Sequence, residues 1–186
     1  MASIYGDIMK VDTTGASQKT ARQDNLTVTG VEASHLLAKA DLSRMNNYKD
    51  IITNVAHKLQ IDRAVICGII SRESRAGAAL VNGWGDHGNA FGLMQIDKRS
   101  HKNLEGLWNS EAHVRQGTQI LVDFIKGVSV KFPKWPKEHV LKGGIAAYNF
   151  GIRNVQTYER LDIGTTNNDY SNDVVARAQW FKNNGY

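Results

Sequence analysis

The sequence predicts a mainly α-helical chain with one small antiparallel β-ribbon set into it. Apolar residues recur at i, i+3, i+4 and i+7 in several separate stretches, the mark of helices with one buried face. Glycines at 77, 83, 85, 88 and 92 break that pattern in a single region, and only short Leu/Met/Ile pieces lie near them. The 186 residues fit one domain, 1–186, with no internal repeat, low-complexity tract or linker.

Taken in order, residues 1–30 are polar and turn-rich (Asp12-Thr13-Thr14-Gly15, Gln23-Asp24-Asn25) and read as an irregular N-terminal arm packed on the body. Residues 32–42, rich in Ala and Leu, form the first helix. Tyr48, Ile51, Ile52, Val55 and Leu59 give the second its single apolar face. Asp62 is placed to cap a third, whose apolar set is Val65, Ile66, Ile69 and Ile70. Beyond the glycine-rich region, Val114, Gly117, Ile120, Leu121, Phe124, Ile125 and Val128 trace the stripe of a helix starting after Ser110. Pro133 and Pro136 bracket a turn, the Gly/Ala-rich segment 143–148 reads as a tightly packed helix, and Asp173 to Asn183 closes the chain with Val174, Val175, Ala178 and Phe181 inward.

Composition narrows the function classes. One cysteine and two prolines exclude a disulfide framework, a zinc ribbon and a Pro-rich chain. A chain of this length buries roughly 70% of its unfolded surface and needs no staple. Twenty-three basic against 18 acidic residues leave a net charge of +5, which suits an anionic partner: nucleic acid, anionic membrane or acidic polymer. The longest apolar run, Ala64–Ile70, is far too short to cross a bilayer, and the N-terminus has neither the basic nor the apolar region of a signal peptide. The expectation is a protein without membrane insertion.

Glu73 is the first candidate for chemistry. At 100° per residue it lies within roughly 60° of Ile66, Ile69 and Ile70 around one helix. A carboxyl on an apolar face loses hydration, and its pKa rises, as a general acid requires. The plainer reading is a stripe-edge Glu paired to Arg72 or Arg75. Asp86 and Asp97 lie in or beside the glycine-rich region, where carboxylates facing a helical acid form the pair that glycoside hydrolysis uses, although loop aspartates more commonly cap turns. Gly83-Trp84-Gly85-Asp86-His87-Gly88 matches a dinucleotide-loop pattern, but no strand precedes it. The six histidines show no metal-ligand spacing, and Cys67 sits in an apolar run as a core residue, so no metal or cofactor is expected. Trp84, Phe91, Trp108 and Trp135 suit stacking on sugars or bases, or the core.

Three motifs, Ile69-Ile70-Ser71-Arg72-Glu73-Ser74, Gly92-Leu93-Met94-Gln95 and Ala147-Tyr148-Asn149, resemble those of the goose-type lysozymes and the related lytic transglycosylases. Asn82–Asp86, Asp97–His101, Asp162–Thr166 and Asp173–Ala178 resemble the goose-type branch in particular, and the similarity runs from about Tyr5 to Tyr186. The resemblance implies an α+β lysozyme-like fold: a helical bundle around a buried central helix, with the ribbon beside a cleft. It implies hydrolysis of the β-1,4 bond between N-acetylmuramic acid and N-acetylglucosamine in bacterial peptidoglycan, an antibacterial activity, with inversion of configuration. Glu73 corresponds to the general acid, and Asp86 and Asp97 to the carboxylates that hold the attacking water. Gln95, His101, Phe124, Tyr148 and Asn149 correspond to groove residues, with Tyr148 as the hydrogen-bond partner of Glu73. The expected partner is the anionic cell wall, met by a monomer without nucleic acid. Bird members carry two disulfides; this chain, with Cys67 alone, looks like the fish-type members, some of them leaderless, so secretion and a cytoplasmic or lysosomal location both stand. A lytic transglycosylase and a non-catalytic glycan or nucleic-acid binder are the alternatives.

Overall fold

A computed structural model describes residues 3–186. Seven α-helices and a three-stranded sheet appear among them: α1 (Gln18–Arg22), α2 (Gly30–Asn46), α3 (Lys49–Leu59), α4 (Arg63–Ser74), β1 (Trp84–Gly85), β2 (Ala90–Phe91), β3 (Ile96–Asp97), α5 (Glu111–Lys131), α6 (Lys137–Phe150) and α7 (Tyr170–Asn183). The mainly α architecture with a small antiparallel ribbon is the one the sequence predicts.

The centre of the bundle is α4. Every residue from Ala64 to Ser71 is buried, as befits a helix apolar on all sides. Its start is set by Asp62, whose carboxylate accepts the Ala64 N–H at 2.9 Å. Its neighbours are α3 on one flank, α2 and α7 on others. The contact with α7 is backbone-close: a Cβ on Gly68 would stand 2.7 Å from the Val174 carbonyl oxygen, so only glycine fits. Cys67 lies wholly inside this core, and burial pushes its thiol pKa well up, which removes it as a nucleophile.

Helices α2 and α6 extend beyond the expected 32–42 and 143–148, and the N-terminal arm and the start of α7 differ in kind from the sequence expectation. The N-terminal arm is not wholly irregular. It holds a 3₁₀ turn at Ile8–Lys10 and the short α1, whose cap Ser17 accepts the Thr20 N–H at 3.3 Å. Ile8 and Val11 enter the main core, while Ala16 and Ala21 pack with Ala33 and Leu37 of α2. Helix α7 begins at Tyr170, three residues before the predicted Asp173. The Asp162 carboxylate supplies the cap from outside the helix, accepting the N–H groups of Ser171 (2.9 Å) and Asn172 (2.8 Å).

The ribbon is minimal, with two residues per strand. Trp84 pairs with Phe91, Gly85 with Ala90, Phe91 with Ile96 and Ala90 with Asp97. So small a sheet needs support, and α4, α5 and α6 provide it through the turn Gly92–Gln95.

Candidate active site

Between ribbon and helices runs a cleft of about 930 Å³. All eight residues singled out by sequence line it: Glu73 from the end of α4, Asp86 from the β1–β2 connection, Gln95 and Asp97 from the turn into β3 and its end, His101 just beyond, Phe124 from α5, and Tyr148 with Asn149 from α6. Gln23 and Thr166, which the sequence reading does not place at the site, line it too. Trp84, Phe91, Trp108 and Trp135 do not. Trp84 packs on Phe91 with centroids 4.8 Å apart, Trp108 lies against the core, and Trp135 stacks on Phe132.

On the helical wall, Glu73 is half-buried and its pKa is raised from 4.5 to about 7. Burial is the main cause. Two smaller influences oppose it: the Tyr170 hydroxyl donates to Oε2 at 3.0 Å, and the Arg72 guanidinium is close. The pairing of Glu73 with arginine is not what the structure contains. Arg72 donates to Asp169 (2.9 Å) and Asp173 (2.7 Å), and Arg75 is clasped by Asp24 and Asp41. Their charge is already answered, so burial wins and the acid stays protonated near neutrality.

The tyrosine nearest in kind to the prediction has another task. Tyr148 donates its hydroxyl to the Met94 carbonyl at 2.6 Å, and the Glu73 hydrogen bond goes to Tyr170 instead. Tyr148 stays close enough that, after burial, the Glu73 charge raises its phenol pKa further. The expected Tyr148–Glu73 bond is thus replaced because the Met94 carbonyl takes the phenol. Tyr170 sits 97 residues from Glu73 along the chain, and no local signal points to it.

The ribbon wall has the opposite character. Asp97 and Asp86 flank one guanidinium: Arg99 Nη2 is 2.8 Å from Asp97 Oδ2 and 3.6 Å from Asp86 Oδ2. Hydrogen bonds from the Arg99 side chain, then from its backbone N–H, hold the Asp97 carboxyl below the usual range, so it is ionised. Asp86 and its neighbour His87 have φ of +46° and +55°, left-handed values that hold the carboxylate at the tip of a tight turn. Asn149 is turned toward the loop after α6, its Oδ1 accepting the Thr166 N–H at 2.9 Å. Among the described residues no cluster of His, Cys, Asp and Glu is arranged to hold a metal, and no helix is long and apolar enough to cross a membrane.

A helical carboxylic acid with a burial-raised pKa, sharing one cleft with the Arg99-paired carboxylates Asp97 and Asp86, is the arrangement that glycoside hydrolases use. The comparisons with known proteins narrow that class. A family model described as "Lysozyme g" matches residues 5–185. The chain is 60% identical over 186 residues to a Lysozyme g of Cyprinus carpio, covering all of both chains. It is 59% identical to a Lysozyme g of Gallus gallus, across 98% of this chain and 86% of the relative, and 60% identical to one of Struthio camelus, across 98% and 89%. The chain belongs to the Lysozyme g family.

Proposed function

We propose that this protein is a muramidase, cutting the β-1,4 bond between N-acetylmuramic acid and N-acetylglucosamine in bacterial peptidoglycan by single displacement with inversion. The observation that carries the reading is the Glu73 pKa of about 7 beside a lowered Asp97. Glu73 delivers its proton to the leaving glycosidic oxygen as the bond breaks. Asp97, with Asp86 on the same guanidinium, holds a water on the opposite face of the sugar and accepts its proton as it attacks the anomeric carbon. Gln95, His101, Phe124, Tyr148 and Asn149 hold the glycan along the cleft. The net charge of +5 raises encounter with an acidic wall at low ionic strength. In this reading the enzyme works as a monomer, without cofactor, nucleic acid or membrane insertion, on walls outside the cell or within a lysosome.

A lytic transglycosylase is disfavoured by the ribbon carboxylates, Asp97 held ionised by Arg99 and Asp86 on the same guanidinium, which a reaction that excludes water does not need. A pure glycan binder has no use for an acid held neutral by burial. Mass spectrometry and early-time NMR of the products test the reading. The expected product carries an added water and an α-configured reducing end. An anhydro product one water lighter, or a β-configured end, overturns it.

A further inference from the structure

The turn that joins β2 to β3 is held from beneath by a histidine that does not line the cleft. His113, in the first turn of α5, is fully buried. Its Nε2 accepts the Met94 N–H at 3.0 Å, so its proton sits on Nδ1, which has no hydrogen-bond partner among the described residues. Its ring lies directly under Gly92: a Cβ there would stand 2.3 Å from the ring, and Gly92 has φ of +79°. Phe91 meets the ring edge-on at 5.5 Å. Burial holds the imidazole pKa down at about 4, so at neutral pH the Nε2 lone pair is available to the amide.

What this contact fixes bears on the cleft. Met94 gives its N–H to His113 and, from the next peptide unit, its carbonyl to the Tyr148 hydroxyl at 2.6 Å, so the two contacts grip one residue from both sides. The next residue, Gln95, is in a left-handed conformation (φ +50°) with Nε2 donating back to the Gly92 carbonyl at 2.9 Å, and it lines the cleft. Two residues further lies Asp97. Ser74, next to Glu73, donates to the Leu93 carbonyl at 2.8 Å, so the same turn touches the acid's helix.

Resting on the muramidase reading, we propose that His113 is a positioning residue: by accepting the Met94 amide it sets the Gly92–Gln95 turn, and through it the placement of Tyr148, Gln95 and Asp97 relative to Glu73. The imidazole touches no substrate. Its effect is on the geometry of the reacting groups, where a displacement of about 1 Å costs on the order of 100-fold in rate.

The test compares His113→Leu, which keeps the bulk and removes the acceptor, with His113→Gln, whose Oε1 replaces Nε2 as acceptor, and with His113→Asn, which is polar but too short. Each is assayed on peptidoglycan at a temperature where circular dichroism shows it folded, and Met94 amide exchange is followed by NMR. The expected result is a fall in kcat of about 10- to 100-fold for Leu and Asn with KM changed only a few-fold, loss of Met94 protection in both, and recovery of both readouts in Gln. If Leu and Asn, both folded, keep wild-type kcat, or if Gln is as impaired as Leu, the proposal is overturned. A wild-type protein that cuts no peptidoglycan overturns the muramidase reading, and Met94 protection then still reports whether His113 holds the turn.

Discussion

The two walls of the cleft hold their carboxyl groups in opposite surroundings. On the helical wall, Glu73 is carried by the central helix, backed by apolar side chains and touched by a phenol that is 1% exposed. On the ribbon wall, Asp86 and Asp97 sit on two-residue strands and turns, in water, sharing an arginine that is 61% exposed. Burial raises the pKa of the first carboxyl, which suits it to the donor role proposed for it. Arg99 holds the Asp97 carboxyl below the usual range and lies 3.6 Å from Asp86. The difference teaches that the division of labour proposed for these carboxyls, acid against water-holding group, would follow from depth, not from residue type.

That depth has a structural cost met by charge. Arg72, Asp169, Asp173 and Arg177, with Ser34, Ser71 and Asp41, form a buried network tying α2, α4 and α7 together around the acid. It absorbs the Arg72 charge that would otherwise ionise Glu73. No comparable network underlies the ribbon, where the Arg99 pairs are surface pairs worth little for stability.

Breaking the deep wall gives the largest effect. Glu73→Gln is expected to lower clearing of a bacterial wall suspension by about 1,000-fold or more, a loss at the scale general acid catalysis contributes. The same change should stabilise the protein at alkaline pH. The folded pKa of Glu73 is raised, so its contribution is fully favourable below the unfolded value of 4.5 and is lost as pH rises through about 7. Thermal melts at pH 8.5 should show the variant more stable by on the order of 2 kcal/mol, with the gap closing toward pH 4.

Breaking the shallow wall costs less. Asp97→Asn is expected to lower hydrolysis by about 10- to 100-fold, Asp86→Asn by less, and the pair by more than either, with melting temperatures close to wild type because both groups are surface-exposed or nearly so. A large loss of stability in either variant would show that the ribbon, too, depends on its charges.

The smallest change sharpens the comparison. Tyr170→Phe removes a hydrogen bond that favours the Glu73 carboxylate, so the Glu73 pKa should rise and the alkaline limb of the kcat/KM profile should move to higher pH. Activity at pH 5 to 6 should change little. A limb that moves to lower pH would mean that Tyr170 serves the protonated acid instead.

Much of this was legible in the sequence, where the signals were local. Asp62 and Ser110 announced their helices through nearby amides, the stripe Val65-Ile66-Ile69-Ile70 announced the central helix, and the same stripe put Glu73 on a dry face. The motif resemblance brought Asp86, Asp97 and the groove residues into one set, and they do line one cleft. What remained hidden depends on groups far apart in the chain. Tyr170 reaches Glu73 across 97 residues, Asp162 caps α7 from outside that helix, and Asp24 meets Arg75 across 51. The early onset of α7 was missed for the same reason, since its first residues carry no apolar period and gain their order from a distant carboxylate. The partner of Tyr148 was misassigned because a backbone carbonyl, Met94, has no side-chain signature at all.

The central claim is that burial raises Glu73 toward neutral pH while Arg99 holds Asp97 ionised. The most direct test is NMR titration of ¹³C-labelled glutamate and aspartate carboxyl carbons, with Glu73→Gln and Asp97→Asn for assignment. The account predicts a Glu73 midpoint near 7 and an Asp97 midpoint below the usual aspartate value. A Glu73 carboxyl that titrates near 4.5, as an ordinary glutamate does, would contradict it.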